Sequence, residues 1–134
     1  MQGVGGAPVT LCNRQNGTMA SHTRASLDAL RGLAGDLARE AGDFALTMRR
    51  AGVDVAGAKS SAVDIVTKAD QATENLIRER LAELRPHDGV LGEEGSAVTG
   101  TSGLTWVVDP IDGTVNYLYG FPAWGVSIAV VEGD

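Results

Sequence analysis

Among its 134 residues the chain has a single cysteine, Cys12, so no internal disulfide can staple it, which fits a reducing compartment. There are two histidines, His22 and His87, both in polar stretches that flank helical segments. Neither residue type offers a convincing nucleophile. Basic residues are outnumbered as well: 11 Lys and Arg against 17 Asp and Glu give a formal net charge of −6. With no basic stripe to neutralise phosphates, nucleic acid is excluded as the main partner. No apolar run approaches the roughly 18 residues of a membrane span. The start also lacks the basic-then-apolar order of a signal peptide. These absences lead us to expect a cytoplasmic protein with no membrane partner, whose acidic balance suits cations.

A hydrophobic content of 43% is enough for one core. Residues 1–23, rich in Gly, Asn, Gln and Ser, read as a disordered leader, the first 18 of them dispensable. The folded domain is expected over residues 24–134. From Ser26, Leu27, Leu30, Leu33, Leu37, Ala41, Phe44 and Met48 recur at three- and four-residue steps, predicting an amphipathic helix that stops near Gly52. The stretch AVDIV has strand character. Thr67 then predicts a helix N-cap, with Asp70 three residues on in capping-box position. Ala72, Leu76, Ile77, Leu81 and Leu84 give a second stripe that Pro86 ends. After it come the short strand GVL, a polar loop, the strand LTWVVD, the turn DPIDGTVN and the strand GVSIAVVEGD. The order predicts an α+β or layered α/β fold, with two amphipathic helices packed on a largely antiparallel sheet.

Four carboxylates fall at the ends of these elements: Asp70, Glu93, Asp109 and Asp112. Hard divalent cations take oxygen ligands and retain room for water and phosphate oxygens. Pro110 fixes φ, so Asp109, Asp112 and the Ile111 carbonyl can turn toward one locus. Gly113 lets the backbone approach an anion. The N–H groups of Gly113 and Thr114 then make a small anion nest, and the Thr114 hydroxyl can orient a water. Each piece alone has a plainer reading. Asp-Pro and Asp-Gly are common turn dipeptides, Asp70 alone reads as a cap, and Glu93-Glu94 as a solvated pair.

Taken together, KSSAVDIVTKAD, LGEEG and WVVDPIDGTVNYLYGFPAWGVSIAVV follow the order and spacing of the inositol monophosphatase family. The chain resembles these Mg²⁺-dependent, lithium-sensitive phosphomonoesterases from about Ser26 to its last residue. The resemblance implies two or three Mg²⁺ ions. Glu93 and Asp109 resemble the pair binding the first, with the Ile111 carbonyl and Thr114 hydroxyl nearby. Asp109 and Asp112 resemble ligands of a second. Asp70 resembles the carboxylate that pairs with the threonine to activate water, and Gly113 and Thr114 match the phosphate-contacting backbone. Glu94 resembles a supporting neighbour, and Lys59 a lysine on a loop near the metals. The implied reaction is direct hydrolysis by water, without a phosphoenzyme, on a small phosphorylated polyol or sugar such as inositol 1-phosphate. A homodimer of the full-length parent is compatible with the family.

Family members continue past residue 134 with a W-D-x-A-A-G element and the residues that bind the substrate alcohol. We therefore expect an incomplete, truncated N-terminal portion, poorly stable and nearly inactive alone. Histidinol-phosphate, fructose-1,6-bisphosphate and 3′-phosphonucleotide phosphatases of the same superfamily are alternatives. From another class, the alternative is a non-catalytic module that pairs with a second chain.

Overall fold

A computed structural model of the chain describes residues 23–55 and 61–133. Helix α1 spans Arg24–Val55 and runs through Gly52, where the sequence predicted a stop. Gly52 has another use: a Cβ there would lie 3.0 Å from Ile65 Cγ2, so the missing side chain lets the next helix pass close by. Leu37, Ala41 and Ala45 are buried along α1, with Leu30, Leu33 and Ala34 packed beside the core. Phe44 is 36% exposed, because Ala45 takes the inward position the stripe had given to it.

Helix α2 spans Ala62–Leu84, so the predicted strand AVDIV is its first turns. The N-cap is Ser61 rather than Thr67: Ser61 Oγ accepts from the Asp64 amide at 3.2 Å. Thr67 instead donates its hydroxyl to the Val63 carbonyl at 2.9 Å, a mid-helix habit of threonine. The β-branched run carries only a small helix penalty, and Val66 offsets it by packing on a buried cluster of Ala45, Ala69, Ile111 and Tyr117. The inward line of α2 is Ala69, Asp70, Thr73, Glu74, Ile77 and Leu81. It is rotated from the predicted stripe and leaves Leu84 56% exposed. Glu40 of α1 holds Arg80 of α2 through two bonds of 3.0 and 2.9 Å.

Strands β1 (Gly89–Leu91), β2 (Leu104–Asp112) and β3 (Gly125–Glu132) form a sheet in that order, with the short helix α3 (Thr114–Tyr119) between β2 and β3. The long ladder is antiparallel, from Leu104 opposite Glu132 to Asp112 opposite Gly125. Strand β1 lies parallel to β2, with Gly89 opposite Thr105, so the sheet is mixed. Parallel neighbours need a connection of about a dozen residues. Segment 92–103 provides it, and on the way Val98 bridges Val90 from the far side of β1.

The helices cover one face of the sheet, α1 over β3 and α2 over β2. Trp106, Val108, Ile77, Leu81, Leu37 and Val90 close the core there. On the opposite face Gly125, Ser127 and Ala129 are exposed.

One buried charge ties these layers. Asp88 accepts from Arg85 Nε at 2.7 Å, Ser102 Oγ at 2.6 Å and Trp106 Nε1 at 2.9 Å. Burial alone would raise its pKa, but these three donors outweigh burial and hold it below the ordinary 3.8. Its contribution is therefore complete above that value and is lost as the pH drops below it. Asp88→Ala strands the Trp106 indole N–H and should cost about 3 kcal/mol in urea unfolding. Asp88→Asn should flatten the loss of stability on the acid side of pH 4.

Candidate active site

The segment DPIDG, predicted as a turn, continues β2 to Asp112. Its irregularity is a bulge. Asp109 pairs with Ser127 and Asp112 with Gly125, so Pro110 and Ile111 together face one residue of β3. Proline has no N–H to give the ladder, which is why the extra residue sits there. Pro110 and Ile111 are both buried, breaking the alternation of the strand. The change of phase turns Asp109 and Asp112 to the same side, away from the core. Gly113 follows at φ 86°, ψ 45°, where a Cβ would lie 3.0 Å from the Ala123 carbonyl. Thr114 and the rest of TVN, also read as turn, open α3 instead. Tyr117 then donates to the Ala45 carbonyl at 2.9 Å, and Arg49 Nε donates to the Tyr117 carbonyl at 2.7 Å, clamping α3 to α1.

The second segment is Gly92-Glu93-Glu94-Gly95. The amides of Glu93 and Glu94 donate to Glu74 Oε2 at 3.0 and 2.8 Å, and that of Gly95 to Oε1 at 2.9 Å. Arg78 Nε completes the set at 2.7 Å. Burial would raise the Glu74 pKa, but these donors outweigh it and hold Glu74 below its ordinary value. No sequence motif flagged Glu74. The available signal was polar residues at the core phase of a helix, where Asp70, Thr73 and Glu74 precede Ile77 and Leu81 on one face.

Asp70 sits one turn before Glu74 and is 7% exposed. Burial first, then the charges of Glu94, Glu93, Asp109 and Glu74, push its pKa up to about 6. The negative charge of Asp109 likewise raises the pKa of Glu93 above its ordinary value. Asp70, Glu93, Glu94 and Asp109, from three separate segments, therefore act on one another. Asp112 is exposed at the strand end and is absent from the main influences on Asp70 and Glu93. Lys59 lies outside the described residues.

Asp70 Oδ1 and Asp109 Oδ1 are buried with no hydrogen-bond partner. Orphaned carboxylate oxygens in a cluster of like charges fit a hard cation by donor type. Among the described residues, no three such groups form a ready-made metal geometry. The fit is thus one of chemistry and neighbourhood rather than of a closed coordination shell.

Known proteins share this arrangement of segments. Residues 24–134 match the profile of the inositol monophosphatase family. The inositol-1-monophosphatase SuhB of Mycobacterium tuberculosis is 50% identical over 119 residues, covering 78% of this chain and 41% of that protein. A histidinol-phosphatase of the same organism is 51% identical over 67 residues, covering 50% of this chain and 26% of that protein. The solved structure of M. tuberculosis SuhB superposes with a TM-score of 0.64 at 45% identity, covering 79% of this chain and 36% of that one. The chain thus spans about two fifths of the length of the relative it matches over most of its own residues. With the profile matched through both helices, the GEE segment and the bulged strand, the chain belongs to the inositol monophosphatase family.

Proposed function

We propose that these residues serve a Mg²⁺-dependent phosphomonoesterase acting on a small phosphorylated polyol such as inositol 1-phosphate. The observation that carries this reading is the meeting of Asp70, Glu93, Glu94 and Asp109 with two buried oxygens left unpartnered. Glu93, Asp109, Asp112 and the Ile111 carbonyl would hold two or three ions. When bound, magnesium supplies charge neutralisation for the phosphate and acidifies water.

The chain's own groups do the rest. Asp70, with a pKa near 6, accepts a proton at neutral pH. The Thr114 hydroxyl, at the first residue of α3, aligns the attacking water with Asp70. The amides of Gly113 and Thr114 face the phosphate. Glu94 keeps the field at Asp70 negative, and Lys59 would support the metals. Attack by water without a protein-bound phosphate accords with the lack of a Cys or His nucleophile beside these carboxylates among the described residues. A cytoplasmic location and a homodimer belong to the same reading. Histidinol phosphate is the second substrate candidate, favoured by the likeness to a histidinol-phosphatase through part of the chain.

Calorimetric titration of the chain with Mg²⁺ or Mn²⁺ should show binding, and Asp109→Asn should weaken it roughly 10-fold or more. Absence of any divalent-cation binding by the unaltered chain would sink the reading. Carboxyl NMR of the metal-free chain should find Asp70 titrating near 6, with Mg²⁺ shifting that titration downward. A raised acid pKa means the fold holds the proton more tightly than the unfolded chain. Stability should therefore decline as the pH rises from about 3.8 to about 6, and Asp70→Asn should remove that decline. Phosphate release from inositol 1-phosphate against histidinol phosphate chooses between the substrates: the preferred one should show the higher kcat/KM, and equal rates would favour neither.

A further inference from the structure

Glu74 is 1% exposed, yet every lone-pair direction of its carboxylate is occupied. Oε1 takes Arg78 Nε and the Gly95 amide, and Oε2 takes the amides of Glu93 and Glu94. Three successive amides converging on one anion make a backbone nest whose occupant is a side chain of the protein itself. Gly92 completes the fit, because a Cβ at that position would overlap the Glu74 carboxylate. The carboxylate therefore fixes the path of the chain from residue 92 to residue 95. It touches the backbones of both glutamates of that segment and leaves their side chains free to leave in other directions. The backbone from which the Glu93 side chain departs is thereby fixed by Glu74.

We propose that Glu74 is a positioning residue for the cation site, setting the approach of Glu93 to Asp109 by gathering the amides of Glu93, Glu94 and Gly95. This rests on the phosphatase reading above. With both oxygens already accepting two bonds each, Glu74 has no lone pair to spare for an ion, and its influence travels through three N–H groups.

Glu74→Gln keeps the shape but replaces one acceptor oxygen by a donor. In one amide orientation that donor faces the N–H groups of Glu93 and Glu94; in the other it faces Gly95 and Arg78. Either way the nest loses part of its hold. Amide hydrogen exchange at residues 93–95 should then speed at least about 10-fold, while the amides of Trp106 and Val108 in β2 keep their protection. Mn²⁺ affinity should fall roughly 10- to 100-fold, as it does when groups orienting metal ligands are lost. Gly92→Ala tests the same contact from the other side, crowding the carboxylate while keeping every acceptor, and should reproduce both effects. In a Glu74→Ala background Gly92→Ala should add no further loss, because its collision partner is gone.

Unchanged Mn²⁺ affinity in Glu74→Gln, or faster exchange spread evenly over the whole chain, overturns the proposal and leaves the phosphatase reading standing. If the unaltered chain binds no Mn²⁺, the phosphatase reading fails and the proposal falls with it. Should Glu74→Gln not fold, Gly92→Ala and its pairing with Glu74→Ala decide the matter by the same measurements.

Discussion

A carboxylate that leaves water must find donors, and α2 takes two carboxylates out of water one turn apart. Their fates are opposite. Glu74 meets three backbone amides and a guanidinium, and its charge is held. Asp70 meets mainly other carboxylates, its Oδ1 has no partner, and it takes up a proton more readily than an ordinary aspartate. The site depends on that contrast. A satisfied anion organises backbone around itself, whereas an unsatisfied one retains affinity for a proton or a cation. Were both satisfied, nothing would remain to bind; were neither, burying them would oppose folding.

The second constraint is the bulge at Pro110. A regular strand would send Asp109 and Ile111 to one face and Asp112 to the other. With an extra residue in β2, Pro110 and Ile111 both enter the core, and the two aspartates emerge on the same side. Gly113 then reverses the chain at a positive φ beside the Ala123 carbonyl, where a side chain would be strained and crowded. The Asn116 side chain closes the return by donating to that same carbonyl at 2.9 Å. The motif read from sequence as a turn is a bulged strand end, a left-handed residue and the start of a helix. Each calls for a different residue type.

Long periodic segments were the legible part of the chain. The stripe from Leu27 to Met48 identified α1, and the runs GVL, LTWVVD and GVSIAVVEGD identified three strands. The errors fell where local signals compete. The stretch AVDIV is short and β-branched, and only the Ser61 cap and the burial of Val66 make it helical. Gly52 looked like a stop until Ile65 of the next helix was found against it. Glu74 belonged to no motif, because the amides it gathers lie 19 to 21 residues along the chain, and only its place at the core phase of α2 marked it.

By itself the sequence determined which chemistry was available. The carboxylates, one proline, one glycine and one threonine in WVVDPIDGTVNY, with GEE and TKAD upstream, are a matter of residue types and spacing, and spacing survives in one dimension. What only the tertiary structure decided was which charges see one another. Asp70, Glu93, Glu94 and Asp109 come together, while Asp112 stays at the exposed strand end. Electrostatic influence depends on distance through a partly desolvated space, and that distance exists only once α2, the GEE segment and β2 have packed.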